Sequence, residues 1–302
     1  MSKVNIIITK EEIDKEDILC LPSQYLPDST IGNIAEINII TLPTILTLPT
    51  YSNEVSNAIE KIQKGFYDYI IFLSARSVEI FFDVLKTRKI NQEQSWQEIK
   101  KVNIIAIGPK TKKAVEKKNL KAFLTTTKQE YSSNSIKSFL YQKDKENKSA
   151  RCPHHMKTKI LIPRSSESLK SNNFITEIFD TLVLDQVFFY DTIEFDRVEQ
   201  SKEWSKFIDL VPKNEAKCLI FTSPSTVRFF FSIICSKTNI PILSKTKNQQ
   251  ELIDFAGIKT VISLGPKTSE ELKNRGIKYK ESPINTINET IRYAYGVLLQ
   301  NK

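Results

Sequence analysis

Two stretches of this chain carry nearly the same pattern. Tyr69-Ile-Ile-Phe-Leu-Ser-Ala-Arg-Ser-Val-Glu-Ile-Phe-Phe82 is matched by Cys218-Leu-Ile-Phe-Thr-Ser-Pro-Ser-Thr-Val-Arg-Phe-Phe-Phe231, 149 positions later (74 to 223). A second pair follows in the same order. Val102-Asn-Ile-Ile-Ala-Ile-Gly-Pro-Lys-Thr111 is matched by Lys259-Thr-Val-Ile-Ser-Leu-Gly-Pro-Lys-Thr268, 157 positions on (111 to 268). A third, Ile6-Ile-Ile-Thr-Lys10 with Ile160-Leu-Ile-Pro-Arg164, lies 154 apart (10 to 164). Three fragments in one order at nearly one offset make the chain two half-length copies.

Each fragment has the same local logic. A short, β-rich apolar run predicts a buried strand: Ile6–Ile8, Ile70–Leu73, Ile104–Ile107, Ile160–Ile162, Leu219–Phe221 and Val261–Leu264. A Ser, Thr, Gly or Pro follows at once. Then apolar residues recur at spacings of three and four, as in Val78, Phe81, Phe82, Leu85 and Val227, Phe230, Phe231, Ile234. Pro109 and Pro266 follow a Gly, where a first helical residue is expected, and Gly276 suits a helix stop. Strand–turn–helix units in series predict an α/β fold with parallel sheets covered by helices on both faces. Ligands bind such sheets at the carboxyl ends of the strands, where these tight turns lie.

Composition narrows the function. Four Cys in 302 residues, at spacings that match no metal knuckle, exclude a disulfide scaffold and point to a reducing cytosol. The two His are neighbours, His154 and His155, so chemistry needing separated imidazoles is excluded. Seven Gly, with no GxGxxG and no GxxxxGK[ST], argue against phosphate loops. No apolar run reaches the ~20 residues of a membrane span, and the start turns acidic too early for a signal peptide. The net charge of +9 attracts anions. The Lys residues are scattered along helices, with no Arg-rich arm or aromatic-basic stripe, which ranks nucleic acid last among partners.

Two segments break the pattern. Residues 141–158, polar and charged, read as a surface insertion between the copies, and Cys152, His154 and His155 within it read as plain loop rather than metal ligands. Residues 10–35 offer one short acidic helix, Glu11–Leu19, before Pro residues interrupt.

The duplicated "strand, Ser-x-x-x-Val-x-x-Phe" units, the two "Ile/Leu-Gly-Pro-Lys-Thr" turns, Leu161-Ile-Pro-Arg164, Val187-Phe-Phe-Tyr190-Asp-Thr192 and Glu281-Ser-Pro-Ile-Asn-Thr286 together resemble the uroporphyrinogen-III synthase family, over most of residues 60–302. The resemblance implies two flavodoxin-like parallel-sheet domains with swapped elements, joined by a two-stranded linker. One would hold residues 1–37 with 187–302, the other 38–186. Glu36–Ile40 would be the outgoing linker strand and Val187–Tyr190 the returning one, with substrate in the cleft between the domains.

It further implies cyclisation of hydroxymethylbilane to uroporphyrinogen III, with loss of water and inversion of the last ring through a spiro intermediate. Neither cofactor nor metal takes part. Tyr190 matches the tyrosine nearest the chemistry; from the residues alone it is a packed strand tyrosine with a polar tip. Ser74, Ser223 and Ser225 read as helix caps, and the resemblance adds contact with substrate carboxylates. Thr111 and Thr268 match the family's Gly-x-x-Thr turn and Arg164 follows a strand end, so all three are expected to meet substrate too. Lys110 and Lys267 read as surface charges. A cytoplasmic monomer in transient contact with hydroxymethylbilane synthase is expected. The alternative is a non-catalytic sensor module of the same fold for an acidic small molecule.

Overall fold

A computed structural model describes residues 4–10, 13, 37–87, 92–124, 133–149, 157–167, 175–237 and 248–300. The chain divides into two compact units, Met1–Leu46 with Ile193–Lys302, and Thr47–Thr192. The sequence placed these divisions at 37/38 and 186/187. The helix expected at Glu11–Leu19, Ile13 apart, lies outside the described residues.

The first unit carries a five-stranded sheet of β1 (Val4–Ile8), β2 (Ile37–Thr41), β9 (Ala216–Phe221), β10 (Thr260–Ser263) and β11 (Lys280–Glu281), in the order β11-β10-β9-β1-β2. Every pairing is parallel. Counted along the chain this is the 2-1-3-4-5 order of the flavodoxin-like sheet. All five residues of β1 are buried, as a strand covered on both faces must be. Helices α6 (Lys202–Leu210), α7 (Pro224–Lys237), α8 (Gln249–Phe255) and α9 (Pro266–Asn274) share one core with the sheet. The other face packs on α10 (Ile287–Gln300) through Ile287, Ile291 and Ala294.

The second unit carries β3 (Ile45–Pro49), β4 (Tyr69–Phe72), β5 (Asn103–Ala106), β6 (Ala122–Leu124), β7 (Thr158–Ser165) and β8 (Leu182–Glu194), in the order β3-β8-β7-β4-β5-β6. Read from β7, its last five strands repeat the order of the first unit. Thus β7 and β8 stand where β1 and β2 stand, although they come last in this segment. Helices α1 (Asn53–Gln63), α2 (Ala75–Thr87), α3 (Gln92–Ile99) and α4 (Pro109–Glu116) cover one face. On the other, Ile136 and Leu140 of α5 (Ser133–Ser149) meet Ile71, Ile160 and Ile162.

The repeat persists in the packing. Phe72 meets Phe81 at 5.3 Å and Phe82 at 6.4 Å between ring centroids, and Phe81 meets Phe82 edge-on at 5.2 Å. Phe221, Phe230 and Phe231 reproduce this at 5.3, 6.1 and 5.3 Å. Edge-to-face aromatic pairs add about 0.5–1.5 kcal/mol each beyond their buried area, so each copy secures the helix after its central strand in the same way.

Two expectations are corrected. Of the linker strand expected at Glu36–Ile40, the described residues Ile37–Ile40 belong instead to a sheet: β2 pairs in parallel with β1 from Val4 opposite Ile37 to Ile8 opposite Thr41, which satisfies its backbone and buries Ile40. The chain passes to the second unit within β3 and returns within β8. Thr50 N–H donates to the Phe189 carbonyl at 2.8 Å, and Phe195 N–H to that of Thr44 at 3.1 Å. Nor is 141–158 wholly a loop. Residues 141–149 complete α5, because Asp144 is buried and accepts from Thr181 N–H at 2.8 Å while pairing with Lys148 at 2.8 Å. Cys152, His154 and His155 lie outside the described residues.

Candidate active site

The first N–H groups of a helix have no partner within it, so each strand–helix turn must cap them or present them to a ligand. Ser74 and Ser223 cap by the same reciprocal device. Ser74 Oγ accepts from Ser77 N–H at 3.0 Å, Ser77 Oγ accepts from Ser74 N–H at 3.2 Å, and Ser77 Oγ donates to the Ser74 carbonyl at 2.7 Å. At Ser223 the partner is Thr226, at 3.3, 3.1 and 2.8 Å. Ser225, in the first turn of α7, is half-buried. The glycine turns differ, since Gly108 and Gly265 cap α4 and α9 with no side-chain hydrogen bond. Thr111 and Thr268 in those first turns are each 4% exposed.

Neighbouring strands bring these turns side by side within each unit. Ile107 N–H donates to the Phe72 carbonyl at 3.1 Å, setting the Gly108 turn beside Ser74. Leu264 N–H does the same to Phe221 at 2.9 Å beside Ser223. At Gly265 the backbone is extended, and a Cβ there would stand 3.1 Å from the Asn285 side chain. Glycine at this turn therefore makes room for Asn285.

The second unit adds a further cluster. Arg164 of β7 stands opposite Phe188 of β8, but Ser165 stands opposite Tyr190. The extra residue, Phe189, forms a β-bulge, and bulges re-aim side chains. As a result Phe189 and Tyr190 both join the core beneath α2, with Phe189 against Phe81 at 5.2 Å. The Tyr190 ring is 9% exposed. Burial pushes its phenol pKa up, while a hydrogen bond to the Ser74 side chain and the charges of Arg164 and Arg76 pull it back. Ser74 Oγ accepts from Ser77 and so keeps its own hydrogen for the phenol.

Arg164 departs from its expected place. The sequence set it after a strand ending at Ile162, yet β7 continues to Ser165 because β8 pairs with it that far. Arg164 is consequently 3% exposed, and burial lowers its guanidinium pKa to about 10 against the raising effect of Tyr190. Its Nη1 donates to Gln186 Oε1 at 2.5 Å. The equivalent place in the first unit holds Lys10, preceded by a buried Thr9 that accepts from Thr222 N–H at 3.2 Å and, through its carbonyl, from Thr222 Oγ1 at 2.7 Å.

Of the residues singled out in the sequence, Ser74 and Tyr190 therefore come together, with Thr111 at the adjoining turn, while Arg164 is held by Gln186 in the neighbouring strand. Ser223, Ser225 and Thr268 belong to the other unit. Ser77, Thr226, Arg76 and Gln186 were missed. The first two had a signal, a hydroxyl three residues after each capping Ser in both copies.

The family model described as uroporphyrinogen-III synthase HemD matches residues 34–291. The chain belongs to the uroporphyrinogen-III synthase family. Among solved structures it resembles the uroporphyrinogen-III synthetase of Helicobacter pylori, with a TM-score of 0.53 and 15% identity, over 97% of this chain and 99% of that one. A mutant uroporphyrinogen III synthase of Thermus thermophilus is similar over 99% and 100% of the two chains, at 12% identity and a TM-score of 0.49. The first likeness bears on the fold, a pair of parallel-dominated α/β sheets. No curated protein matches the sequence. Membership places the chain among enzymes of tetrapyrrole biosynthesis, lyases in general kind. Among the described residues, no helix is long and apolar enough to cross a membrane.

Proposed function

We propose that the chain cyclises hydroxymethylbilane to uroporphyrinogen III. The observation that carries this reading is the meeting of Tyr190, at the bulge of β8, with Ser74, at the carboxyl end of β4, in a member of this family. The substrate is a linear tetrapyrrole ending in a hydroxymethyl group. Its terminal C–O bond breaks with help from the pyrrole nitrogen, and the departing hydroxyl takes a proton and leaves as water. The Tyr190 phenol, kept protonated by its burial, donates that proton. The cation left behind is attacked by the substituted carbon of the last ring, giving a spiro centre. That centre fragments and recloses with the ring inverted, and loss of a ring proton restores the pyrrole.

Most of the enzyme's task is holding a flexible chain in one folded geometry. The substrate bears four acetates and four propionates. First-turn N–H groups that follow the caps at Ser74 and Ser223, among them that of Ser225, and the Gly turns of Thr111 and Thr268, suit such carboxylates, and the net charge of +9 draws the anion in. Arg164 adds positive charge from inside its strand. A cytoplasmic monomer that receives an unstable substrate from hydroxymethylbilane synthase completes the reading.

The test is turnover. Catalytic amounts of protein should speed the disappearance of hydroxymethylbilane well beyond its spontaneous cyclisation. Binding of one equivalent without acceleration would instead mark a sensor module of the same fold.

A further inference from the structure

Side chains of a strand alternate between its two faces. Val187 and Phe189 of β8 both join the core that α2 covers, so regular alternation would turn Tyr190 to the opposite face. The bulge breaks the alternation, with Arg164 opposite Phe188 and Ser165 opposite Tyr190. Moved along the strand by one residue, it would return Tyr190 to the other face, because a one-residue slip reverses every side chain it passes. Its place is held from both sides. Thr50 N–H donates to the Phe189 carbonyl at 2.8 Å, and Ser166 N–H to the Tyr190 carbonyl at 3.0 Å. Those donors are backbone groups that almost any sequence supplies. The side-chain tie lies just beyond, where Ser165 Oγ and Thr192 Oγ1 share a hydrogen bond at 3.0 Å. Ser165 Oγ is itself fixed, accepting from Glu167 N–H at 3.2 Å. Thr192 is the next residue after Tyr190 on the same face of β8, and its bond to Ser165 marks that face as the one Ser165 occupies.

We propose that Thr192 is a positioning residue for Tyr190: its hydroxyl, tied to Ser165 across the strands, fixes the bulge at Phe189 and so keeps the phenol on the face that α2 covers. The inference rests on the reading of Tyr190 as proton donor. Proton transfer needs the donor within hydrogen-bond reach of the departing oxygen, and a misplacement of about 1 Å can cost about a hundredfold in rate. A bulge is the point where a strand's register is least determined by its ladder, since the extra residue has no partner across the sheet. A bond between side chains immediately past that point selects one register over its neighbour, because a slip of one residue would carry Thr192 away from Ser165. Thr192 touches neither substrate nor the reacting atoms in this account; it acts through the strand that carries Tyr190.

The test separates positioning from substrate binding and from mere packing. Thr192→Val keeps the branched shape and removes the hydroxyl. With enzymatically made hydroxymethylbilane, its kcat for uroporphyrinogen III should fall about tenfold, while KM stays within about twofold, because the tie acts on proton donation and not on the groups that hold carboxylates. Thr192→Ser, which restores the hydroxyl, should recover kcat to within about twofold of wild type. With protein in excess over substrate, Thr192→Val should add no further loss to Tyr190→Phe, since residues that act through one group are not additive. Ser165→Ala breaks the same tie and carries the comparison if Thr192→Val does not fold. Wild-type kcat in the variant, a raised KM with kcat kept, or losses that multiply in the Tyr190→Phe background overturns the proposal and leaves Tyr190 its role. Undiminished uroporphyrinogen III formation by Tyr190→Phe overturns it through its premise, whatever the Thr192 variants do.

Discussion

Ser74 and Ser77 hold each other: each Oγ accepts the other's backbone N–H, at 3.0 and 3.2 Å. Ser223 and Thr226 do the same in the other copy. Ser77→Ala should therefore lower stability by about 1 kcal/mol, the usual cost of a lost cap. Ser77→Thr, the choice made in the other copy, should keep it. Urea unfolding followed by circular dichroism distinguishes them, and equal midpoints for wild type and Ser77→Ala would deny the cap any weight.

Two glycines make a matched pair. Gly276 ends α9 at φ +68° with open space where a Cβ would stand, and Ile277 N–H closes the turn on the Leu272 carbonyl at 3.0 Å. Gly257 has φ +67°, but a Cβ there would meet Asn214 Oδ1 at 2.5 Å. Gly276→Ala should cost about 1–2 kcal/mol from backbone strain alone. Gly257→Ala should cost clearly more, since Asn214 must also move. Thermal unfolding of the two variants ranks them; the reverse order would contradict the packing.

Asp144 links α5 to the start of β8. Burial alone would raise its carboxyl pKa, yet hydrogen bonds from Lys148 and Thr181 hold it at about 2. An unfolded aspartate titrates at about 3.9. The unfolded chain therefore binds the proton first on acidification, and the stability contributed by Asp144 is present above about pH 4 and lost as pH falls toward 2. Denaturant midpoints measured from pH 5 down to pH 2.5 should drop more steeply in the wild type than in Asp144→Asn. Parallel curves would refute the linkage.

Tyr190→Phe keeps the packed ring and removes the proton donor. Formation of uroporphyrinogen III should fall by about a hundredfold or more, the usual worth of a general acid, with unfolding midpoints close to wild type. Unchanged kcat in a folded variant would take Tyr190 out of the mechanism.

Much of this was legible in the sequence because the repeat is local. Strand, capping Ser and paired Phe residues sit within fourteen positions in each copy (69 to 82), so one reading served twice. What escaped depends on partners distant in the chain. Arg164 is buried because β8, some twenty residues on, pairs past Ile162 and bulges at Phe189. Ile37–Ile40 joins a sheet because β1 lies open beside it. Residues 141–149 read as loop from their charge, but Ile136 and Leu140 anchor the helix and Asp144 ties its later turn to Thr181. Gln186 carried no signal at all, since its role exists only once Ile175 and Arg164 are in place.

The central claim is tested most directly by the isomer of the product. Purified protein is incubated with enzymatically made hydroxymethylbilane, the products are oxidised, and the uroporphyrin isomers are resolved. The expected result is predominantly isomer III; isomer I alone, the outcome of spontaneous closure, would contradict it.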